Sequence, residues 1–205
     1  MKRSQHPTRE RLIAVVVDLL EDRGPGEINV DEVLSISGIS KGSLYHHFTD
    51  LADLVDEALA YRFAHYVDLT VAAIVPLVTE SKTRDELFAG LAQITVATQS
   101  LAARPNRLER VQIVGRAARN PNLRELLNHE QQRLNGALAD LIREGQIKGW
   151  FSRDFDAMAA AVLIQAYTLG RALDDVTEPH IDPEKWIALI HRLVEKTFGS
   201  DEDGN

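Results

Sequence analysis

Two helix-start signals stand close together near the N-terminus of this chain, and they constrain its fold more than any other feature. At the first, Asn29 is a side-chain cap, and Glu32 stands where a capping box places its acidic partner. Ile28 and Val33 occupy the two positions of a hydrophobic staple around this cap. The pattern predicts a short helix over residues 30–37, because its apolar positions do not alternate as those of a strand do.

The second signal follows directly after a glycine. Gly38 is the residue best suited to a positive φ angle, and Ser40 offers a cap that accepts from the Ser43 amide. Ile39 and Leu44 repeat the staple arrangement around this second cap. Two consecutive helices separated by about three residues with a glycine form the helix-turn-helix layout. The sequence therefore predicts this motif at about residues 29–48.

The remaining chain carries helix signals throughout and no convincing strand. We expect Pro76 to kink or end the helix that Asp50 caps. Arg104-Pro105 is expected to form a break, and the segment 145–149 with its two glycines to separate two later helices. The sequence thus predicts an all-α fold of about nine helices. Beyond the helix-turn-helix, they are expected at 8–23, 50–75, 83–103, 107–119, 122–144, 155–175 and 183–198.

Composition and charge exclude some classes of protein. Of the 205 residues, 44% are apolar, and none is a cysteine, which excludes disulfides and thiolate zinc sites. No uncharged apolar run approaches the ~18 residues of a membrane span. We therefore expect a cytoplasmic protein without membrane contact.

The net charge is −8, yet residues 1–11 carry +3, from Lys2, Arg3, Arg9 and Arg11 against Glu10. The acidic tail 200–205 is predicted to be disordered.

A hydrolase interpretation has to be weighed, because Gly38, Ser40 and Gly42 spell Gly-x-Ser-x-Gly. That motif needs a strand leading into its serine, whereas a capped helix leads into Ser40. A metal site at His46, His47, Asp50 and Asp53 is also disfavoured, because their spacing matches no metal motif. We predict no catalytic residue, no metal and no cofactor.

DNA binding explains more of the residues in the second short helix. Leu44 and Phe48 are four residues apart, so both can be buried against the preceding helix. Lys41 can donate to guanine or phosphate, and the missing side chain of Gly42 allows close approach to a groove. Tyr45 and His47 can donate to phosphate. The predicted DNA contacts are Lys41, Gly42, Ser43, Tyr45, His46 and His47.

The segment from Ile28 to Phe48, INVDEVLSISGISKGSLYHHF, closely resembles the helix-turn-helix of the tetracycline-repressor (TetR) family of bacterial regulators. The shared pattern comprises Gly24, an apolar residue, a cap, Gly38-Ile39-Ser40, Leu44-Tyr45-x-His47-Phe48 and Leu54. It covers about residues 6–66. The resemblance implies a homodimer that places this helix of each subunit in the major groove. It also implies release from DNA when a small molecule binds within the C-terminal helices.

Two positions depart from the family pattern. Asn29 stands where threonine is common and caps equally well. Leu51 stands where lysine is frequent, so one phosphate contact is missing, and Asp50, Asp53 and Asp56 make that end of the next helix acidic. The resemblance implies a DNA-binding domain at 6–66 and a ligand-binding and dimerisation domain at 67–199.

Two segments of the C-terminal part have wide apolar faces. Residues 158–173 and 186–198 each present more apolar surface than one neighbouring helix covers, which favours a dimer through the last two helices. A polar side chain within an apolar run can orient a ligand. On that basis, the predicted contacts of a small apolar or amphipathic effector are Thr98, Gln112, Arg116, Gln165 and Tyr167.

The sequence thus predicts a ligand-responsive transcriptional regulator, a repressor that binds a palindromic DNA operator as a homodimer. Two alternatives stay open at this point. One is an all-α dimer that binds a small molecule but no DNA, and the other is a serine esterase using Ser40. Selection of bound sequences from random duplex DNA discriminates the first alternative, and ester turnover by a Ser40 variant discriminates the second.

Overall fold

The computed structural model describes residues 6–199, without the side chain of Val78. Lys2, Arg3 and the tail predicted to be disordered lie outside these residues. Between His6 and Gly199 the chain forms α-helices, two 3-10 turns and one isolated bridge, with no strand. The all-α prediction is therefore confirmed. The helices are α1 Pro7–Leu19, α2 Val30–Ser37, α3 Lys41–His47, α4 Leu51–Glu80, α5 Arg84–Gln99, α6 Arg104–Ala117, α7 Pro121–Ile147, α8 Ala157–Gly170, α9 Ala172–Asp175 and α10 Pro183–Phe198.

The chain divides into two compact units. The first contains residues up to Tyr66 together with Arg116–Asn128, and the second contains Val67–Gly115 and the residues from His129 onward. In the first unit, α1 packs against both α2 and α3. Its core includes Leu12, Val33, Leu44 and Leu54, all fully buried. These are the apolar positions that the sequence pattern places on the inner faces of the helices.

In the second unit, α5 packs along α10. Leu87, Ile113, Leu134 and Ile190 are buried in its core. The chain after α7 returns to the end of α10, where the Ser152 amide donates to the Phe198 carbonyl oxygen (2.9 Å). The last helix has the predicted bounds, 183–198, and its predicted cap Asp182 accepts from the Glu184 amide (2.9 Å).

Several predicted helix boundaries are wrong. The first helix ends at Leu19, four residues before the predicted end. Helix α4 does not end at Pro76 but continues to Glu80. The Leu77 side chain packs against Gly90 of α5, at the place that a Cβ on this glycine would occupy. This packing offsets the loss of the backbone hydrogen bond that proline cannot donate. Arg104-Pro105 opens α6, since proline is tolerated in a first turn.

Gly145 is inside α7, although the sequence predicts that it separates two helices. The Phe151 ring lies where a Cβ on Gly145 would be, so this glycine permits close packing within a helix. The Gly145 carbonyl oxygen accepts from the amides of Trp150 (2.8 Å) and Phe151 (3.2 Å), which ends the helix. Gly149, with φ of 74°, then turns the chain.

One stretch in the described part of the chain, Leu51–Leu77 of α4, is long and apolar enough to cross a membrane by length and composition alone. The sequence expectation concerned uncharged runs, and five charged side chains interrupt this stretch: Asp53, Asp56, Glu57, Arg62 and Asp68. The two charged side chains in its part from residue 60 to 77 have polar contacts. Arg62 donates to the Val17 carbonyl oxygen (3.2 Å), and Asp68 pairs with Arg133 (2.6 Å). These are contacts of a helix packed within a folded protein.

Candidate nucleic-acid interface

The turn between α2 and α3 is fixed by local hydrogen bonds. Asn29 caps α2 by accepting from the Asp31 amide (2.8 Å), and Ser40 caps α3 by accepting from the Ser43 amide (3.2 Å). Gly38 has φ of 67°, the left-handed conformation predicted for it. Glu32 does not complete the predicted capping box, because its carboxylate accepts from Arg23 Nη1 (2.7 Å). The predicted caps and turn are otherwise confirmed.

Two apolar side chains hold α3 in the first unit. Leu44 is fully buried and Phe48 is 3% exposed, so the predicted inner face of α3 is confirmed. Arg9 of α1 lies over the Phe48 ring, 5.3 Å from its centroid, and its guanidinium pairs with Glu57 (2.6 Å). Contacts with α1, which itself pairs with α4, therefore help to set the orientation of α3.

The opposite side of α3 carries all the residues predicted to contact DNA. Lys41, Gly42, Tyr45 and His46 are exposed, whereas Ser43 and His47 are half-buried. A Cβ on Gly42 would meet no atom within 4 Å. The structure therefore brings the six predicted residues together on one accessible helix surface, which we call the α3 outer face.

Three histidines meet at the end of α3. The ring centroid of His47 is 4.6 Å from that of His6 and 5.2 Å from that of His46. Desolvation, with the positive charges of His6, His46 and Arg9, lowers the pKa of His47 below the ordinary imidazole value. Within residues 6–199, no group of three or more acidic, cysteine or histidine side chains is arranged to hold a metal ion.

The start of α4 is acidic, as the sequence predicts. Asp50 caps it by accepting from the Asp53 amide (2.8 Å), and Asp53 accepts from the Thr49 amide (3.0 Å). Asp56 does not add to this acidic end, because it is 5% exposed and pairs with Arg116 (2.6 Å). The predicted acidic end is therefore limited to Asp50 and Asp53.

The geometry around Ser40 differs from that of a hydrolase nucleophile. A helix, α2, leads into the turn, and no strand occurs in the described part of the chain. Ser40 Oγ accepts from the Ser43 amide and is 3.2 Å from Ser43 Oγ. The hydroxyl thus serves as a helix cap.

The five predicted effector contacts belong to two different units of the chain. Arg116 belongs to the first unit, and Gln112 is exposed on α6. In the second unit, Gln165 bonds to Gln131 and Asn135 (both 2.8 Å). Thr98 donates to the Ile94 carbonyl oxygen (2.8 Å). Burial raises the pKa of Tyr167, whereas its hydrogen bond with Thr95 opposes this rise.

A cavity of about 220 Å³ lies between α5 and α10. None of the five predicted effector contacts is among the residues that line it. His191, which the sequence analysis did not single out, lines the cavity, and its Nε2 atom has no hydrogen-bond partner within residues 6–199. The spacing of His191 and Val194 on α10 could have indicated a shared face. The lining includes Phe88, Leu91, Ala92, Thr95, His191 and Val194.

Comparison with known protein families decides the assignment. The model described as "Bacterial regulatory proteins, tetR family" matches residues 12–58, which include the helix-turn-helix. A second model, the C-terminal part of BetI-type transcriptional repressors, matches residues 109–199. The chain belongs to the TetR family of bacterial transcriptional regulators. The resemblance seen in the sequence is therefore confirmed.

Individual relatives agree with the TetR assignment. The HTH-type transcriptional regulator UidR of Escherichia coli strain K12 is 25% identical over 188 residues, which cover 85% of this chain and 84% of UidR. The HTH-type transcriptional repressor KstR2 of Mycolicibacterium smegmatis is 27% identical, over 72% of this chain and 69% of KstR2. A solved regulator from Saccharomonospora viridis, in complex with choline, shares the fold, with a TM-score of 0.68 at 23% identity. The match covers 96% of this chain and all of that one.

TetR-family regulators bind DNA and small-molecule effectors and act as dimers. This TetR protein is a ligand-responsive, DNA-binding transcriptional regulator, and repression is supported by the repressors among its relatives. It is not an enzyme, so the esterase interpretation of Ser40 is not favoured. A dimer that binds small molecules without binding DNA is likewise not favoured.

Proposed function

We propose that the protein represses transcription in the cytoplasm as a homodimer that binds a palindromic operator. The α3 outer face carries this proposal, because its polar side chains are accessible while Leu44 and Phe48 anchor the helix from within. A recognition helix needs this combination of a fixed orientation and free hydrogen-bonding groups. A two-fold symmetric dimer presents two such helices in inverted orientation, and the matching DNA site is a palindrome.

We assign separate roles to the residues of the α3 outer face. Lys41 reads a guanine or binds a phosphate, and His46 contacts a base edge or an adjoining phosphate. Tyr45 and His47 bind backbone phosphates. Gly42 and Ser43 lie next to the groove, where the absence of a side chain on Gly42 allows close approach. The DNA-binding domain is 6–66, with its helix-turn-helix at about 29–48.

The proposed dimer forms through α8 and α10. Their outward surfaces keep large apolar side chains exposed in the single chain, including Val162 (51%) and Leu189 (54%). Exposed apolar patches of this kind mark interaction surfaces, and a second copy with the same two helices would cover them. Further exposed apolar residues of this region are Met158, Leu163 and Leu193.

The proposed effector is a small apolar or amphipathic molecule bound within the domain 67–199. The cavity between α5 and α10 supports this proposal by its apolar lining. Thr98, Gln165 and Tyr167 stay proposed contacts in the second unit. Gln112 and Arg116 stay proposed contacts outside the cavity. Release of DNA requires that the effector prefer a conformation unsuited to the operator.

Selection from random duplex DNA by the purified protein tests this function. We expect enrichment of an inverted repeat whose half-sites are about one helical turn apart. Tyr45→Phe should then weaken binding to all duplexes by a similar factor, whereas Lys41→Ala and His46→Ala should also relax base preference at particular positions. No enrichment, or unchanged binding by all three variants, would contradict the assignment of α3 as the reading helix.

A further inference from the structure

Two arginines are almost fully buried in the second unit, and their surroundings differ sharply. Arg107, 2% exposed, donates from Nε and Nη2 to the two oxygens of Asp175, both at 2.7 Å. Its Nη1 donates to the carbonyl oxygens of Thr98 (2.8 Å) and Ser100 (2.9 Å). Every nitrogen of this guanidinium is therefore satisfied by protein groups, and its charge is neutralised by one carboxylate.

Arg171 is just as deeply buried, at 1% exposed, yet none of its three guanidinium nitrogens has a hydrogen-bond partner within residues 6–199. Its nearest carboxylate oxygen is Asp174 Oδ2, 3.5 Å from Nε and outside hydrogen-bond geometry. The other oxygen of Asp174 accepts from the Ile181 amide (2.9 Å). A buried charge without hydrogen bonds is strongly unfavourable, and Asp174 could satisfy at most one of the three nitrogens.

A second unpaired donor belongs to Gln99, which contacts the same tryptophan as Arg171. Gln99 is fully buried, and its Oε1 accepts from Trp186 Nε1 (2.8 Å), while its Nε2 has no partner in the described part of the chain. The Arg171 guanidinium carbon lies 5.5 Å from the centroid of the same Trp186 ring. Both unpaired donors thus lie against one indole on α10.

The cavity between α5 and α10 continues along the same pair of helices. Thr95, which lines it, precedes Gln99 by one helical turn, and His191 lines it from α10, beyond Trp186. Gln99 and Trp186 are therefore within about one to two helical turns of residues that line the apolar cavity. The missing complement is a group with acceptor oxygens, joined to an apolar body.

We propose that the effector of this regulator is a carboxylic acid, whose carboxylate Arg171 binds with a further hydrogen bond from Gln99 Nε2. The planar guanidinium presents paired donors that match the two oxygens of a carboxylate. The apolar remainder of the acid occupies the cavity between α5 and α10. This proposal rests on the proposed effector-binding function of the same domain and defines the chemical class of the effector.

The first test separates a ligand-binding arginine from a structural one by thermal unfolding of the free protein. Arg171→Met should unfold at or above the wild-type temperature, because methionine removes a buried guanidinium that makes no hydrogen bond and keeps the apolar stem. Asp174, its ion-pair partner, is 22% exposed and keeps the hydrogen bond from the Ile181 amide. The matched variant Arg107→Met leaves Asp175 buried without its partner and should lower Tm by about 5–15 °C. An equally large fall for Arg171→Met would show that Arg171 pairs internally, with Asp174, and would overturn the proposal.

The second test measures binding by titration calorimetry with hexanoate, octanoate, benzoate and phenylacetate, each compared with its primary amide and with choline. At least one carboxylate should bind wild type about tenfold or more tightly than its amide, the factor expected for one hydrogen bond to a charged group. Arg171→Met should remove this difference. If no carboxylate binds, if amides bind equally, or if choline binds more tightly than every acid, the proposal is wrong.

Operator binding is measured separately, so that the two proposals fail independently. Carboxylate binding through Arg171 without any selected DNA site would contradict operator recognition and leave this inference intact. A selected operator together with Arg171-independent binding of the acids would contradict only the carboxylate site.

Discussion

The Arg116 guanidinium donates from Nε to Asp56 Oδ1 across 2.6 Å and thereby joins the last turn of α6 to α4 within the first unit. Asn120 donates to the other oxygen of Asp56, so both oxygens of this buried carboxylate are used. Arg116, predicted from the sequence as an effector contact, thus has a structural partner in the free protein.

Asp56→Ala should lower the free energy of unfolding by about 1–3 kcal/mol, because it leaves Arg116 and Asn120 without their acceptor. Loss of a fully buried pair costs more, but the Arg116 side chain is 36% exposed, and solvent compensates part of the loss. The control is Asp140→Ala, whose partner Arg143 lies at the same 2.6 Å on an exposed surface. It should change stability by less than about 0.5 kcal/mol. Urea denaturation measures both, and equal losses would contradict the distinction.

Ser40→Ala should destabilise the protein by about 1 kcal/mol and weaken operator binding, because the Ser43 amide loses its acceptor at the start of α3. Ser40→Asn should restore most of both properties, since asparagine caps helices as well as serine. Neither variant should alter the hydrolysis of an activated ester. Ester turnover with a burst that disappears in both variants would instead establish Ser40 as a nucleophile.

Gly42→Ala should separate stability from recognition. The added Cβ meets no atom within 4 Å, and alanine favours a helix over glycine, so the free protein should gain up to about 1 kcal/mol. Operator affinity should fall, because the new methyl group stands between α3 and the groove. Gly136→Ala in α7, where a Cβ also meets nothing, should stabilise the protein without changing affinity. Unchanged operator binding by Gly42→Ala would show that the backbone does not approach DNA closely.

The lowered pKa of His47 predicts opposite pH trends for folding and for DNA binding. In the unfolded state the imidazole of His47 has a pKa of about 6.5. The folded state holds this proton less tightly, because the pKa of His47 is lowered there. Stability should therefore be highest above about pH 6.5 and decline as the pH falls towards the lower pKa of the folded state. DNA phosphate favours the imidazolium, so operator affinity should rise over the same interval.

His47→Asn isolates this contribution, because His6 and His46 remain in place. Urea denaturation and operator titration at several pH values between about 7.5 and 5.5 should show a shallower pH dependence of both quantities in the variant. Parallel curves for wild type and variant would mean that His47 is not the titrating group.

Leu189→Glu should convert the dimer into a monomer at micromolar concentration, because it places a charge in the proposed apolar interface. Ile147→Glu is the matched control, since Ile147 is 71% exposed and belongs to α7 rather than to α8 or α10. Sedimentation velocity measures both variants. Dissociation by Ile147→Glu, or an intact Leu189→Glu dimer, would place the interface elsewhere.

The local features of this fold were predictable from the sequence, and the long-range ones were not. The caps Asn29 and Ser40 and the turn at Gly38 depend on neighbours within a few residues, which a pattern records directly. Continuation of α4 through Pro76 depends instead on packing by residues distant in the sequence.

The same limit applies to the second unit. Arg107 and Asp175 are 68 positions apart, so no local spacing indicates their pair. In the sequence, Arg171 follows an apolar helix and has the pattern of an exposed polar residue at its end. Only the fold shows that its guanidinium is buried beside Trp186 and makes no hydrogen bond within residues 6–199. The proposed carboxylate site depends on unpaired donors near a cavity, which a search for polar residues within apolar runs does not find.

The acidic start of α4 has a consequence for how the protein searches a chromosome. Lys41 is the one lysine or arginine between Gly38 and Tyr61, and Asp50 and Asp53 stand close to it in the chain. A recognition segment with so few cations displaces few counterions when it meets a duplex, so its contribution to the affinity for arbitrary DNA should be low and only weakly dependent on salt. Such a regulator would spend little time on non-specific sites. Its occupancy of the operator would then depend on hydrogen bonds and shape rather than on attraction to the phosphate chain.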